Sequence, residues 1–377
     1  MDLNALATPA LILDRRIMGR NISAMSARAK RHGVDLRPHM KTSKSVKVAE
    51  MATRGHSGGI CVSTVLEAGY FAAHGFLDIT YAFPIVAAKL DDIHAIAAKT
   101  SAKIRLLSDD LGALNAVSER AWALGTAFDV QIEINSGQNR GGILPDSPDL
   151  IALGRAIVDS KALRLAGVLT HGGHSYDCHS AAECRVAAEQ ERAAIVKAAE
   201  NLRVAGLPCA AVSPGSTPTA VHAERLDGAT EMRPGNYVFF DLHQVGIGAC
   251  APEDIAVTVL STVVGHNRAT GRILIDAGGL AISKDAGAND QLPGTDYGWV
   301  HGLDGRARIG DLRVSRLSQE HGQIEGHRPA PFDCLPIGAK VRIVPNHSCM
   351  TAAAYGHYHV VDGGNEVIDR WDRVNGW

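Results

Sequence analysis

Between residues 34 and 241, short apolar runs alternate with longer stretches whose apolar residues are spaced as in helices. This alternation predicts parallel strands connected by crossover helices. Eight such runs are present, and eight parallel strands are enough to close a (β/α)8 barrel of the TIM type. The predicted strands are Val34–His39, Gly59–Ser63, Asp78–Phe83, Lys103–Ser108, Phe128–Ile134, Leu163–His171, Ala210–Gly215 and Glu231–Asp241.

The sequence changes character after Pro252, where Gly and Pro become frequent and long helical patterns are absent. We therefore predict an α/β protein in which a (β/α)8 TIM-like barrel over residues 15–250 precedes a mostly β domain over residues 251–377. The N-terminal run at 8–14 is a candidate edge strand for the β domain. The strand-like runs of the β domain are Ile255–Val264, Arg272–Ala277 and Val341–Val344.

Composition excludes several classes of function. A net charge of −2 with 46% hydrophobic residues is typical of a globular protein without affinity for polyanions, so nucleic acid is not expected as a partner. The seven cysteines are scattered and contain no CxxC pair, which favours reduced thiols. No run reaches the length of a membrane span, and the first residues have no basic segment before an apolar core. We expect a cytoplasmic protein without a membrane partner.

In barrels of this kind, active sites form at the C-terminal ends of the strands. Lys41 follows the first predicted strand, in the run 37–42 (RPHMKT), and has no acidic neighbour in sequence. An amine in this position suits attack on a carbonyl, as in the bond that lysine forms with pyridoxal phosphate (PLP). Arg140 follows the fifth strand in a glycine-flanked turn, and His171 ends the sixth.

The seventh strand ends in the run 213–219 (SPGSTPT), whose backbone amides and hydroxyls can surround a phosphate. Tyr237 offers a phenol to the same anion. Taken singly, a turn of this composition is usually only a turn, Arg140 is usually a surface guanidinium, and His171 is usually a core histidine. Their joint position at the strand ends of one barrel favours a PLP site.

A second group of candidate residues, His347 and Cys349, follows the strand-like run Val341–Val344. If the backbone stays extended there, residues two apart point to the same side and can hold one ion. An imidazole with a thiolate prefers zinc to magnesium or manganese. Two protein ligands leave positions free for water or substrate, whereas a structural zinc site uses four. From the tripeptide alone, a buried thiol beside a surface histidine is the more common arrangement.

The chain resembles the D-serine dehydratase/D-threonine aldolase family of fold-type III (alanine-racemase-like) PLP enzymes. The resemblance runs from near residue 7 to Trp377, in order and at the family's spacing, and is strongest to the D-serine and D-threo-3-hydroxyaspartate dehydratases. The motifs that carry it are Thr8-Pro9-Ala10, Arg37-Pro38-His39-Met40-Lys41-Thr42, Gly215-Ser216-Thr217-Pro218, Arg233-Pro234-Gly235-Asn236-Tyr237, Asp276-Ala277-Gly278, Gln319-Glu320-His321-Gly322 and the His-x-Cys pair.

This resemblance implies a PLP Schiff base on Lys41, with Arg140 facing the pyridine nitrogen. It implies zinc on the His-x-Cys pair, His347 and Cys349, and a homodimer in which the β domain of one subunit closes the barrel mouth of the other. His171 matches a position that lines the cofactor pocket, and so does Tyr176. The residues implied for the phosphate are Gly215, Ser216, Thr217 and Tyr237.

Two positions depart from the aldolase members of the family. Those enzymes often pair the metal-site histidine with an aspartate where this chain has Cys349, and tend to place a histidine where it has Tyr176. Both departures favour dehydration. The expected activity is that of a PLP- and zinc-dependent lyase, which converts D-serine, D-threonine or D-threo-3-hydroxyaspartate to a 2-oxo acid and ammonia. Lys41 is expected to remove the α-proton.

Three alternatives remain open. A D-threonine aldolase would cleave the Cα–Cβ bond to give glycine and an aldehyde, and would accept Mn2+ as its metal. An amino-acid racemase would need a second base opposite Lys41 and no metal pair. A non-catalytic PLP-binding protein would leave the β domain and the His347/Cys349 pair unexplained.

Overall fold

The computed structural model describes residues 1–326 and 330–377. Two compact units are formed, one by residues 24–235 with 376–377 and the other by residues 1–23 with 236–375. The strands are β1 Ala10–Asp14, β2 Asp35–Leu36, β3 Ile60–Val62, β4 Asp78–Pro84, β5 Lys103–Ser108, β6 Phe128–Ile134, β7 Leu163–Thr170, β8 Ala211–Ser213, β9 Glu231–Met232, β10 Val257–Asn267, β11 Arg272–Ile275, β12 Trp299–His301, β13 Arg308–Leu317, β14 Gly322–Glu325, β15 Lys340–Val344, β16 His357–Val361 and β17 Asp369–Asp372. The α-helices are α1 Arg15–Arg31, α2 Val46–Ala52, α3 Val65–Ala73, α4 Leu90–Thr100, α5 Leu111–Ala123, α6 Pro148–Asp159, α7 Ala181–Val204, α8 Thr217–His222, α9 Leu242–Gly246, α10 Gly279–Ile282 and α11 Ser348–Ala352.

Strands β2 to β9 form a closed ring of parallel strands in the unit of residues 24–235. Strands β3 to β8 pair in chain order in one sheet, and β2 pairs with β9. A parallel bridge between His39 and Cys61 connects the segment after β2 to β3. On the other side, the N–H of Thr230 donates to the carbonyl of Val212 at 2.9 Å and connects β9 to β8. The predicted (β/α)8 barrel is thereby confirmed.

Most residues of β5 and β6 are buried, because helices cover the ring. Both strands begin and end where the sequence predicted. The last predicted strand, Glu231–Asp241, is wrong in length, since β9 ends at Met232. Pro234 has no N–H to extend the ladder, and residues Asn236–Val238 form a 3-10 turn.

Side-chain caps begin several of the barrel helices. Thr64 accepts a hydrogen bond from the backbone N–H of Glu67 before α3, and Ser180 does the same with Glu183 before α7. Helix α7 stops before Gly206, which has a φ of +76° that favours glycine. Within residues 1–326 and 330–377, every helix is too short or too polar to cross a membrane.

The unit of residues 1–23 and 236–375 is built on a nine-stranded sheet, so the predicted mostly β domain is confirmed. Six antiparallel strands (β10, β11, β12, β13, β14 and β15) close on themselves, because β11 pairs with both β14 and β10. The N-terminal strand β1 belongs to this sheet. It pairs with β10 on one side and β16 on the other, so it is an interior strand and the prediction of an edge strand is wrong.

All five residues of β1 are buried, which is the burial that an interior strand needs. The two compact units divide between Gly235 and Asn236. A boundary between residues 250 and 251 stays a sequence-based prediction.

Candidate active site

Lys41 lies just beyond β2, in the turn that follows His39. The backbone N–H of Lys41 donates to Nδ1 of His39 at 3.3 Å. The N–H of Met40 donates to the carbonyl of Cys61 at 2.8 Å. These bonds hold the backbone at the strand end, while the Lys41 side chain is exposed. The amine therefore stands at the carboxyl end of the barrel, where the active sites of such barrels form.

Two imidazoles, those of buried His39 and half-buried His171, lie near this amine. Desolvation lowers the pKa of both well below the usual value of histidine, and the positive charge of Lys41 lowers it further. Arg140 and Arg233 act in the same direction on both rings. Both imidazoles are therefore neutral near pH 7. Lys41, Arg140 and His171 therefore lie near one another at the same end of the barrel.

Arg140 borders a cavity at this end of the barrel. The cavity is lined by Glu133, Ser136, Gln138, Arg140 and His171, among others. The Arg140 side chain is 59% exposed, and its Nη2 lies 3.8 Å from Oε1 of Glu133. An ion pair at this distance is weak. The guanidinium can therefore turn its N–H donors toward a ligand.

The run 213–219 forms the turn between β8 and the short helix α8. Ser216 caps this helix, accepting from the N–H of Thr219 while the hydroxyl oxygen of Thr219 accepts from the N–H of Ser216. Ser216 and Thr217 are almost completely buried. Gly215 has a φ of +136°, and a Cβ there would lie 2.5 Å from the backbone nitrogen of Arg233. Only glycine fits this position.

His171 connects the β7 end to this turn. Its Nδ1 lies 3.4 Å from the carbonyl oxygen of Gly215. The ring centroids of His171 and Tyr176 are 6.0 Å apart, with Tyr176 in the 3-10 turn Gly173–Asp177. The two predicted pocket residues and the predicted phosphate turn are thus neighbours in the barrel.

Sequence reasoning missed two buried charged residues beside these turns. Arg233 is 3% exposed and donates to the carbonyls of Thr170 and Ser213, at the ends of β7 and β8. Its position directly after β9 was a signal that could have found it. Glu191, on α7, is 2% exposed, and its signal in the sequence is its place at helical spacing among the apolar residues Ala187, Ala188 and Ile195.

Tyr237, the other predicted phosphate residue, belongs to the β unit. It lies in the 3-10 turn Asn236–Val238 and is completely buried. Burial raises the pKa of its phenol, so the hydroxyl stays protonated and can donate a hydrogen bond.

His347 and Cys349 follow β15, but the backbone between them is not extended throughout. His347 is extended (φ −138°, ψ 100°) and precedes α11, whereas Cys349 lies in the first turn of that helix. The expectation of a continuing strand is therefore wrong. The two side chains still meet, since they are within hydrogen-bonding contact of each other.

The His347 ring is held by a carboxylate that the sequence analysis did not select. Nδ1 of His347 donates to Oδ2 of Asp285 at 2.6 Å. This bond lowers the pKa of Asp285. Burial alone would lower the pKa of His347, but Asp285 and Cys349 together raise it. With Nδ1 committed to Asp285, Nε2 is the nitrogen that can bind a metal.

Asn236 completes the surroundings of the thiol. Its Nδ2 donates to Oδ2 of Asp241 at 2.7 Å and lies 3.8 Å from Sγ of Cys349. Over residues 1–326 and 330–377, no three His, Cys, Asp or Glu side chains form a group that could hold an ion. Two protein ligands, His347 and Cys349, would leave coordination positions on a metal for water or substrate.

The residues in both units fit the groups that the resemblance implies. The barrel offers a primary amine, a guanidinium beside a cavity and a hydroxyl-rich helix start, which suit the aldehyde, ring nitrogen and phosphate of PLP. The β unit offers an imidazole, oriented by a carboxylate, together with a thiol, which suits a soft divalent ion.

Comparison with known proteins connects both units to characterised families. Residues 13–243 match the family described as "Alanine racemase, N-terminal domain", and residues 256–361 match "Putative serine dehydratase domain". The D-threo-3-hydroxyaspartate dehydratase of Delftia sp. (strain HT23) is 42% identical over 100% of this chain and 99% of its own length. The D-serine dehydratase of Dictyostelium discoideum is 32% identical over 100% of this chain and 98% of its own.

A D-threonine aldolase of Arthrobacter sp. is 30% identical over 97% of this chain and 91% of its own length. Among solved structures, a cysteine-to-alanine mutant of D-threo-3-hydroxyaspartate dehydratase in the metal-free form superposes with a TM-score of 0.96 over the whole of both chains, at 42% identity. Full-length similarity at this level identifies the family. The chain belongs to the D-serine dehydratase/D-threonine aldolase family of alanine-racemase-like enzymes.

Proposed function

We propose that this chain is a PLP- and zinc-dependent lyase, which dehydrates and deaminates a D-3-hydroxy amino acid to a 2-oxo acid and ammonia. The observation that carries the proposal is the His347–Cys349 pair, in which Asp285 holds the imidazole so that its Nε2 is available to a metal. The full-length similarity to two dehydratases supports the same reaction. The candidate substrates are D-serine, D-threonine and D-threo-3-hydroxyaspartate.

In the barrel, Lys41 is the proposed covalent anchor for PLP, with Arg140 at the pyridine nitrogen. When bound, PLP withdraws electrons from Cα of an amino acid and so makes its α-proton acidic. Arg140 does not readily give up a proton to the ring, because guanidinium stays protonated in proteins. Lys41 would accept the α-proton through its Nζ. Ser216, Thr217 and Tyr237 are the proposed hydrogen-bond donors to the phosphate, at the turn that Gly215 allows.

In the β unit, His347 and Cys349 hold the metal, and we propose zinc because an imidazole and a thiolate prefer it. An ion held by these two residues would supply a Lewis acid for loss of the β-hydroxyl. Loss of the α-proton and of the hydroxyl gives an enamine, whose imine tautomer reacts with water to release ammonia and the 2-oxo acid. His171 and Tyr176 are proposed to line the cofactor pocket. The homodimer also stays a proposal, which light scattering coupled to gel filtration tests.

The second candidate is a D-threonine-type aldolase, because a 30% identical relative is a D-threonine aldolase. D-threonine separates the two functions, since dehydration gives 2-oxobutanoate and ammonia, whereas retro-aldol cleavage gives glycine and acetaldehyde. We expect ammonia and 2-oxo acid from a panel of D-3-hydroxy amino acids, and none from the L-enantiomers. Release of glycine and aldehyde without ammonia would overturn the dehydratase proposal.

A further inference from the structure

Glu191 is a buried carboxylate in the middle of α7, at the end of the barrel where β7 and β8 terminate. Its exposed fraction is 2%. Burying a carboxylate costs free energy unless hydrogen bonds compensate for the lost water. Burial raises the pKa of Glu191, while its hydrogen bonds to Thr219, Gly215 and Gly172 oppose that shift. The hydrogen bonds that Glu191 accepts therefore compensate for the cost of its burial.

Oε1 of Glu191 joins the turns that follow two different strands. It accepts from the N–H of Gly172 at 2.5 Å, in the turn after β7, and from the N–H of Gly215 at 3.0 Å, in the turn after β8. The approach is close, since a Cβ on Gly172 would lie 2.9 Å from Cδ of Glu191. Gly172 directly follows His171, and Gly215 directly precedes Ser216.

Oε2 of Glu191 reaches the helix cap of the proposed phosphate site. It accepts from Oγ1 of Thr219 at 2.6 Å, and that hydroxyl oxygen accepts from the N–H of Ser216 at 3.0 Å. Thr219 thus connects Glu191 to the first turn of α8 by hydrogen bonds. Without the carboxylate, two buried N–H groups would lose their acceptor and the Thr219 hydroxyl would lose one of its contacts, which is unfavourable for buried polar groups.

We propose that Glu191 is a positioning residue for PLP: it sets the turn that carries His171 against the turn Gly215–Thr217 that is to hold the phosphate. This inference rests on the proposed function, because it assumes that PLP binds at these turns. Glu191 itself does not contact the cofactor in this account. It acts through Gly172, Gly215 and Thr219, and so determines how well the barrel is preorganised for the phosphate.

The test is PLP binding to apoenzyme, measured by fluorescence quenching, with the 31P chemical shift of the bound phosphate as a second signal. Glu191→Ala is expected to raise the dissociation constant of PLP at least tenfold and to change the 31P shift. Glu191→Gln should remain within about threefold of the wild type, because its carbonyl can still accept from both N–H groups and its amide can donate to Thr219.

The matched control is Glu189→Gln, two residues earlier on α7. Glu189 is partly exposed, and its carboxylate pairs with Arg192 and Arg225. This variant should bind PLP like the wild type. If Glu191→Ala does not fold, Thr219→Val removes the Oε2 contact together with the hydrogen bond from the N–H of Ser216, and it is expected to weaken PLP binding several-fold.

A dissociation constant for Glu191→Ala within threefold of the wild type, with an unchanged 31P shift, overturns the inference. So does an unchanged constant for Thr219→Val, if that is the variant that folds. A Glu191→Gln variant as weak as Glu191→Ala also overturns it, because the hydrogen bonds would then not be the cause. If the wild-type apoenzyme itself binds no PLP, the proposed function falls first, and this result is distinct from the others.

Discussion

Oδ2 of Asp285 accepts a hydrogen bond from Nδ1 of His347 at 2.6 Å, although the two residues are 62 positions apart in the chain. A carboxylate in this position fixes the tautomer and orientation of a metal-binding imidazole. His347 therefore presents its Nε2 on the side that Cys349 occupies, and the geometry of the proposed metal pair depends on a residue outside the His-x-Cys motif.

Asp285→Asn should weaken metal binding, because the amide holds the imidazole less firmly and makes it a poorer ligand. The expected loss of affinity is about 10–100-fold, measured by competition with a chromophoric chelator. Asp372→Asn, an exposed change on β17, is the control and should bind metal like the wild type. If Asp285→Asn and the wild type bind the metal with equal affinity, Asp285 does not orient His347 for metal binding.

Removal of the metal should abolish ammonia release while leaving the fold intact. EDTA treatment followed by gel filtration is expected to give an inactive protein, and added zinc should restore activity. The metal content is measured by mass spectrometry in parallel with the ammonia assay. Full dehydratase activity in a sample shown to contain no zinc would refute the role of the metal.

Cys349→Asp tests the choice between the two reactions. A carboxylate favours harder ions than a thiolate does, so ammonia release should fall sharply with zinc. Any retro-aldol activity should survive better, especially with manganese added. The products from D-threonine, 2-oxobutanoate and glycine, are quantified in the same reaction. If the ratio of the two products does not change, the thiol of Cys349 does not decide between dehydration and retro-aldol cleavage.

An ion-pair network at the other end of the barrel makes stability depend on pH. Arg37 is 3% exposed and pairs with Asp78 at 2.8 Å and Glu231 at 2.7 Å. Burial would raise the pKa of Asp78, but Arg37 and then Arg105 outweigh it and lower the pKa. The contribution of Asp78 is therefore complete above the ordinary aspartate pKa of about 4. It is lost as the pH falls through the lower value of the folded protein.

Asp78→Asn should accordingly lower the free energy of unfolding by about 1 kcal/mol at pH 7. The difference from the wild type should shrink below about pH 4, because the wild-type carboxylate is then protonated too. Urea unfolding at pH 7 and pH 3 measures both values. Asp146→Asn, which removes an exposed pair with Lys197, should change little at either pH. A difference that is the same at pH 7 and pH 3 would exclude the charge of Asp78 as the cause.

Much of the fold could be predicted because local sequence and burial agree. The segments Lys103–Ser108 and Phe128–Ile134 are predicted strands that the structure pairs in parallel with their neighbours. The errors occur where a neighbour decides the conformation. The run after Met232 reads as a strand but meets Pro234, and the run after Val344 turns into helix α11 at Ser348.

The candidate site divides in the same way. The sequence by itself determined which residues are candidates for the chemistry, since Lys41, the 213–219 turn and the His-x-Cys pair are recognisable from side-chain type and from their place after predicted strands. Only the tertiary structure decided which carboxylates orient them. The sequence does not show what Glu191 and Asp285 contact, because their partners are 19 to 62 positions away. Folding brings such partners together, and no local pattern encodes the contact.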